Sequence, residues 1–390
     1  MLSYIIRRLL LLPPTLIGIT AIVFFVIALS PGGIGASLLS TEGSMRPAER
    51  AAREKYLNER YGLDRPYLVQ YGHWLNNVSP IGFRTYTAQD PEVVASAAEA
   101  AKLPKDAQGK QPKPRLRAGD IRFSHPTFKM PDLGESFTKH RPVSALILEA
   151  LPVSLTLQLV SLPITYLIAV TSGIYAARHR GKLIDVGTGF ILIALFSFPI
   201  IWAGVMFIGF LCNNEYIRWF PTNGLHDILS DDMAFLPSFA GGQFQRGWLL
   251  DTAWHLVGPA ICISYGEFAV LSKLTRGSLL DTLSLDFVRT AKAKGLSDRV
   301  VLYRHAFRNS LIPLITVAAY ILPALISGAI VVETIFGLQG MGNLTITALE
   351  ARDRELLLSN TLIISFLTLI GYLLADISYA VADPRVSYDA

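Results

Sequence analysis

Six stretches of this chain are long, apolar and nearly free of charge: Leu9–Leu29, Ala150–Ala177, Val186–Asn214, Thr252–Ser272 (interrupted by Glu267), Asn309–Val332 and Leu356–Ala375. A helix needs about 20 mainly apolar residues to cross the hydrocarbon of a bilayer, so each run is long enough to span. Lipid offers the backbone no hydrogen-bonding partner, which leaves helices and closed barrels as spanning forms, and these runs lack the alternation of barrel strands. The expected fold is therefore an all-α membrane protein with six spans. Composition agrees, since 51% hydrophobic and 17% charged residues, with a mean hydropathy of +0.41, leave too little polar surface for a water-soluble globule. Cys212 and Cys262 lie in apolar surroundings without metal-ligand spacing and read as small hydrophobes.

The net charge of +5 is explained by topology, and no nucleic acid is implied. Lys and Arg in short loops collect on the cytoplasmic side. One set of flanks holds Arg7, Arg8, Arg178, Arg180, Lys182, Lys273, seven basic residues from Arg276 to Arg308, and Arg385. The opposite short loops hold only Arg218, Arg246, Arg352 and Arg354, a ratio of fourteen to four. Both termini and the Leu285–Pro313 loop are thus expected in the cytoplasm, with residues 31–150 outside. The first run exceeds a signal-peptide core and lacks a clean small-x-small site, so it is expected to remain as the first span.

Outside, Pro47-Ala48-Glu49 has the character of a helix start, and Glu49/Arg53 and Lys55/Glu59 are i,i+4 pairs. Gly62 to Pro66 would stop that helix. Tyr67 to Leu75 suits a short amphipathic piece on the membrane or on the bundle. Residues 79–131 are polar and rich in Pro, Lys and Gln after a short helix at Pro91 to Ala101, and they are expected to form a flexible insertion without a core. The aromatic-rich segment Glu215 to Asp251 suits a headgroup-level position as well as a substrate contact.

The Leu285–Pro313 loop carries the strongest functional signal. Ser284 can cap a helix running to Lys294, Gly295 can take the left-handed C-terminal position, and Ser297-Asp298 can start a second helix bearing Arg299, Arg304, His305 and Arg308. The small Thr290, Ala291 and Ala293 would permit close approach of another surface, and Phe287 and Val288 offer apolar anchors. A solvated basic loop near anionic lipid is the plainer alternative.

Arg289-Thr290-Ala291-Lys292-Ala293-Lys294-Gly295 resembles the EAA loop of ABC-transporter permease subunits, in the form used by the dipeptide/oligopeptide family. Other segments look like landmarks of that family in order: Asp132-Leu133-Gly134-Glu135-Ser136-Phe137, Arg141-Pro142-Val143, Leu151-Pro152-Val153-Ser154, His255 to Pro259, Val332-Glu333-Thr334-Ile335-Phe336 with Gly340 and Gly342, Ala351-Arg352-Asp353, and Asp383-Pro384-Arg385. The resemblance covers residues 1–78 and 132–388, and around Asp132 to Ser154 and Asp376 to Asp383 it is to B-type permeases of the microcin-C/oligopeptide branch. It implies a six-helix type I ABC importer transmembrane domain with a long external insertion after the first helix, and a permease core over residues 151–388. It further implies a second homologous permease, two cytoplasmic ATPase subunits that bind ATP and Mg, an external binding protein and a peptide substrate. The ATPase-coupling surface would comprise Phe287, Arg289, Thr290, Ala291, Lys292, Gly295 and Leu296. Two departures stand out: Arg289 replaces the Glu that names the motif, and the insertion is longer than the usual link.

The chain has no GxxxxGK[ST] loop, so no nucleotide site of that type, and no catalytic set is evident. No cofactor of its own is expected. Two acidic residues are candidates for the translocation path. Glu267 interrupts a span, where a carboxylate is costly unless it faces water or a partner; it could meet a cationic substrate group or pair structurally near Lys273. Glu333 precedes a Gly-rich turn at Gly337 to Gly342 that looks like a re-entrant hairpin at the exit vestibule. A secondary transporter driven by an ion gradient is the competing reading, but it expects related halves and more buried carboxylates.

Overall fold

The structure is a computed structural model that describes residues 2–30, 65–86, 89–104, 112, 114–117, 119–123, 126–240, 243–319 and 328–382. The expected helix after Pro47, its stop at Gly62 to Asp64, and Asp383-Pro384-Arg385 lie outside the described residues. Among those described, four helices are long and apolar enough to span, and a bent pair makes a fifth. They are α1 (Leu2–Leu29), α4 (Val143–Arg178), the pair α5 (Leu183–Ser197) and α6 (Ile200–Met206), α7 (Gly247–Leu283), and α13 (Arg354–Ala382). Asn309–Val332 is described only at its ends.

The pair differs from the continuous span expected over Val186–Asn214. It bends by 88° at a short break. Pro199 sits at the N-cap of α6 and disfavours helical geometry in the residue before it; Phe198 is accordingly extended at φ −83°, ψ 119°. The chain then continues through a π-helical turn, Phe207–Cys212.

Contacts divide the chain into two units, one of Met1–Pro14, Ile147–Ile346 and Ile363–Ala390, the other of Thr15–Leu146 and Thr347–Leu362. In the first, α4 and α7 meet along a seam of small residues. A Cβ on Gly173 would fall 2.6 Å from the Thr275 side chain. Ser172 and Ser272 share a hydrogen bond of 2.8 Å, and Ser264 Oγ donates to Ser161 O at 3.3 Å. Small and hydroxylated residues are what lets spans approach in lipid, where no hydrophobic force drives them together. Asp185 of α5 accepts two bonds from Arg276 of α7, at 2.5 and 2.7 Å, plus Gly181 N at 2.9 Å. Near the N-terminus, Arg8 pairs with Asp376 at 3.0 Å and Tyr4 donates to the same carboxylate at 2.8 Å.

In the second unit, α2 (Tyr67–Val78) packs on the end of α1. Tyr71 Oη donates to Ile17 O at 2.9 Å, and Tyr71, Trp74 and Val78 join Phe24, Ala28 and Leu358 in one buried cluster. The insertion differs from the flexible linker expected. Its described residues form β1 (Ile81–Gly82) paired antiparallel with β2 (Thr127–Phe128), extended by the Thr85–Ile121 bridge, and α3 (Pro91–Lys102), which buries Val93 and Ala100. Asp132 to Thr138 then caps the start of α13. Asp353 is fully buried, accepts from Ser136 Oγ (2.6 Å), Thr138 N (3.1 Å) and Thr138 Oγ1 (3.1 Å), and caps the helix through Leu356 N at 3.1 Å. Beside it the buried Arg354 binds Glu355 and Gln70. Gly134, at φ +76°, passes so close beneath Glu355 that a Cβ would lie 2.9 Å from its carboxylate. The landmarks at Asp132–Phe137 and Ala351–Asp353 are thus two halves of one polar cap.

Candidate functional site

The loop after α7 folds as α8 (Asp286–Ala293), the short α9 (Asp298–Val300), a π-helical segment Val301–Phe307, and α10 (Arg308–Ala319). Leu285, extended at ψ 150°, is the N-cap of α8. The expected cap, Ser284, instead donates its hydroxyl to Asp281 O at 2.7 Å and finishes the preceding helix. At the far end Gly295 has φ +79°, its N–H bonds Lys292 O at 2.9 Å, and Leu296 N–H bonds Ala291 O at 3.4 Å. This is a Schellman closure, which requires the left-handed position that glycine adopts without strain. Ser297 has the extended geometry of an N-cap but makes no capping bond with its side chain.

α8 has two distinct faces. Val288 (0% exposed) and Ala291 (5%) turn inward against Ile174 and Ala177 of α4, Leu279 of α7, and Val301, Leu302 and Ala306 of the π segment. Burying a valine side chain contributes roughly 1.5–3 kcal/mol, so α8 is anchored to both spans by packing. Phe287, Arg289, Thr290, Lys292, Gly295 and Leu296 are exposed. The seven expected coupling residues therefore separate: six present a surface, while Ala291 is small because it fits against its own bundle. Val288, expected as an outward anchor, is an inward one. Among the described residues Arg289 pairs with Asp286, at 3.3 Å and well exposed, a contact of little energetic weight.

The two acidic candidates differ sharply. Glu333, on α11 (Ile330–Ile335), is 0% exposed. Ser154 Oγ (2.8 Å) and Ala329 N (3.1 Å) donate to one oxygen, and Asn343 N (2.9 Å), from α12 (Met341–Glu350), donates to the other. Ser154 Oγ in turn accepts Met341 N at 2.8 Å. A Cβ on Gly340 would lie 2.6 Å from both the Glu333 carboxyl carbon and Ser154 Oγ. This geometry makes Glu333 a clamp that ties the Gly-rich turn to α4, with no surface open to a passing substrate. Glu267 is exposed on α7 and makes no hydrogen bond or ion pair among the described residues. Arg276 is taken by Asp185, and no pair with Lys273 forms. A groove of about 560 Å³ between α4 and α7 is lined mainly by apolar residues, among them Val160, Ile164, Leu256 and Phe268, and Glu267 is not part of its lining.

Residues 169–388 match the family of binding-protein-dependent transport system inner membrane components, more than half of the chain. The oligopeptide transport system permease protein AppB of Bacillus subtilis is 31% identical with all of both chains covered. The chain belongs to this permease family. The peptidoglycan transport system permease protein YejB of Agrobacterium fabrum is 32% identical, over 99% of this chain and 98% of the relative. The di/tripeptide transport system permease protein DppB of Pseudomonas aeruginosa is 31% identical, over 100% and 99%. The permease is thus an inner-membrane transport subunit rather than an enzyme, and the ion-gradient reading is set aside. Its polar cap of Ser136, Asp353, Arg354 and Glu355 was not a sequence-level candidate. The signal was present as two charged or glycine-bearing landmarks flanking spans, but only the fold joins them.

Proposed function

We propose that this permease forms half of the translocation path of an ATP-driven importer for peptides or peptide-like compounds, with both termini and α8 on the cytoplasmic side. The observation that carries the coupling role is the two-faced α8. Its inner face is fixed to α4 and α7 by Val288 and Ala291, while Phe287, Thr290, Lys292 and Leu296 stand clear as a surface for an ATPase subunit. A push on the outer face is transmitted to two spans at once. ATP shifts the transporter only as far as the closed ATPase dimer favours one arrangement of the spans over the other. The partners are a second homologous permease, two ATPase subunits holding ATP and Mg, and an external binding protein. Arg289 stands where a carboxylate is usual, so contact rests on shape and apolar anchoring. Glu267, exposed in a span and unpaired among the described residues, is the better path candidate of the two acids, suited to a substrate ammonium.

The test is reconstitution with the neighbouring subunits and measurement of peptide-stimulated ATP hydrolysis. Phe287→Ala and Lys292→Ala should uncouple hydrolysis from transport while the permease remains folded. Unchanged coupling in both would remove α8 as the docking element. Glu267→Gln should impair transport of cationic peptides most, and unchanged transport at limiting substrate would remove Glu267 from the path.

A further inference from the structure

The insertion carries apolar side chains that stand exposed among the described residues. Phe128 on β2 is 87% exposed, Ile81, its cross-strand partner and so on the same side, is 56% exposed, and Met130, two residues beyond the strand, is 92% exposed. Phe83 shares the side of Ile81 and meets Phe123 at 5.4 Å between ring centroids, with Phe123 82% exposed. The opposite side packs at Gly82 on Asn76 of α2 with the Lys129 stem beside it, and carries the exposed Arg84. A group of exposed apolar side chains such as this, with a basic side chain near it, marks an interaction surface.

The position of this ribbon decides what covers it. Both of its ends are pinned to the buried cluster that holds Ala28 and Leu358, through Val78 at one end and Leu133 at the other. The ends are zipped together by Lys129 N to Pro80 O (3.0 Å) and Asp132 N to Asn77 O (2.9 Å), and Ser359 Oγ holds Leu133 O at 2.9 Å. Ser359 lies three residues inside the apolar run that begins at Leu356, or about 5 Å below the hydrocarbon edge. Met130 precedes Leu133 by three residues, a reach of roughly 10 Å at most. With the start of that run taken as the hydrocarbon edge, the apolar side chains lie within reach of the boundary between acyl chains and headgroups.

We propose that the β1–β2 ribbon is an interfacial anchor: Phe128, Met130 and Ile81 enter the leaflet on their side of the membrane, and Arg84 and Lys129 face the headgroup phosphates. Amphipathic elements at this depth bury their apolar side chains about 5–10 Å into the boundary. Long basic side chains reach back to the phosphates. The insertion thereby fixes the ends of α1 and α13 relative to the lipid.

The assembled transporter, carrying Phe128→Cys, Met130→Cys or Arg84→Cys singly, would be spin-labelled in vesicles of phosphatidylethanolamine and phosphatidylglycerol. These sites are exposed, so labelling leaves the core intact, and the native Cys212 and Cys262 are buried. Collision rates with oxygen and with a water-soluble nickel chelate report depth. The oxygen-to-nickel ratio should be raised at 128 and 130 and lowered at 84. Equal water access at all three positions overturns the proposal. So does protection of 128 and 130 that arises only on adding the binding protein, since the face would then be a protein contact.

Discussion

Replacing Glu333 separates a structural clamp from a substrate-path residue, because the two roles predict opposite patterns of stability and transport. In Glu333→Ala three donors lose their acceptor: Ser154 Oγ, Ala329 N and Asn343 N. The serine hydroxyl can rotate to another partner, but the two backbone N–H groups cannot. Each buried donor left unsatisfied costs about 1–3 kcal/mol, so the loss is roughly 2–6 kcal/mol, less whatever an entering water restores. Glu333→Gln keeps the shape. Its amide oxygen can still serve Ser154 and Ala329, while its NH2 faces the Asn343 N–H, so one donor is stranded and the loss is about 1–3 kcal/mol. Thermal denaturation of the purified complex in detergent should therefore rank the parent above Gln, and Gln above Ala. Ser154→Ala removes a donor to Glu333 and the acceptor of Met341 N. Combined with Glu333→Ala it should show a coupling energy of about 0.5–3 kcal/mol, as expected of directly bonded residues. If both Glu333 variants melt with the parent and yet lose transport at temperatures where they are folded, the clamp assignment is refuted.

Gly295→Ala should weaken the end of α8 by about 1 kcal/mol, because an alanine at φ +79° meets the steric cost of the left-handed region, whereas Gly295→Asn should be milder. ATPase coupling and the protease sensitivity of the loop would report both. Arg276→Gln leaves the buried Asp185 without its cation and should destabilise the α5–α7 contact by on the order of 2 kcal/mol, below the full value for a buried pair because the Arg276 side chain is 35% exposed; thermal unfolding reads this directly. Burial, with Arg65 as the next cause, holds the His73 imidazole below its usual pKa, against the opposing pull of Asp120. The folded state thus binds fewer protons than the unfolded chain, so this contribution is present above about pH 6.5 and is lost as pH falls below it. Hydrogen exchange over Tyr67–Val78 should lose protection between pH 7.5 and 5.5, and His73→Gln should flatten that dependence.

What the sequence displayed and what it hid follow from the range over which each signal acts. Spans were legible because lipid imposes a local rule on every residue of a run, and the break at Phe198-Pro199 could have been read from the same local rule for pre-proline residues. Gly295 was legible for a similar reason. The two faces of α8 were within reach as well: Val288 and Ala291 stand three apart, and Arg289 and Lys292 interleave with them in the phase of a half-buried helix. Reading every small residue of the motif as partner-facing missed that phase. Glu333 is a different case. A lone acid at the end of a span looks like a path residue, and nothing within ten residues announces that Ser154 will reach it across 179 positions. The trace it leaves is indirect, in Gly340 and Gly342, which stay bare because a Cβ at either would strike the Glu333 side chain. In a bundle of this kind an acidic residue ringed by glycines is better read as enclosed by backbone, and one like Glu267, flanked by Gly266 and Phe268 with no clasp, as open to whatever passes.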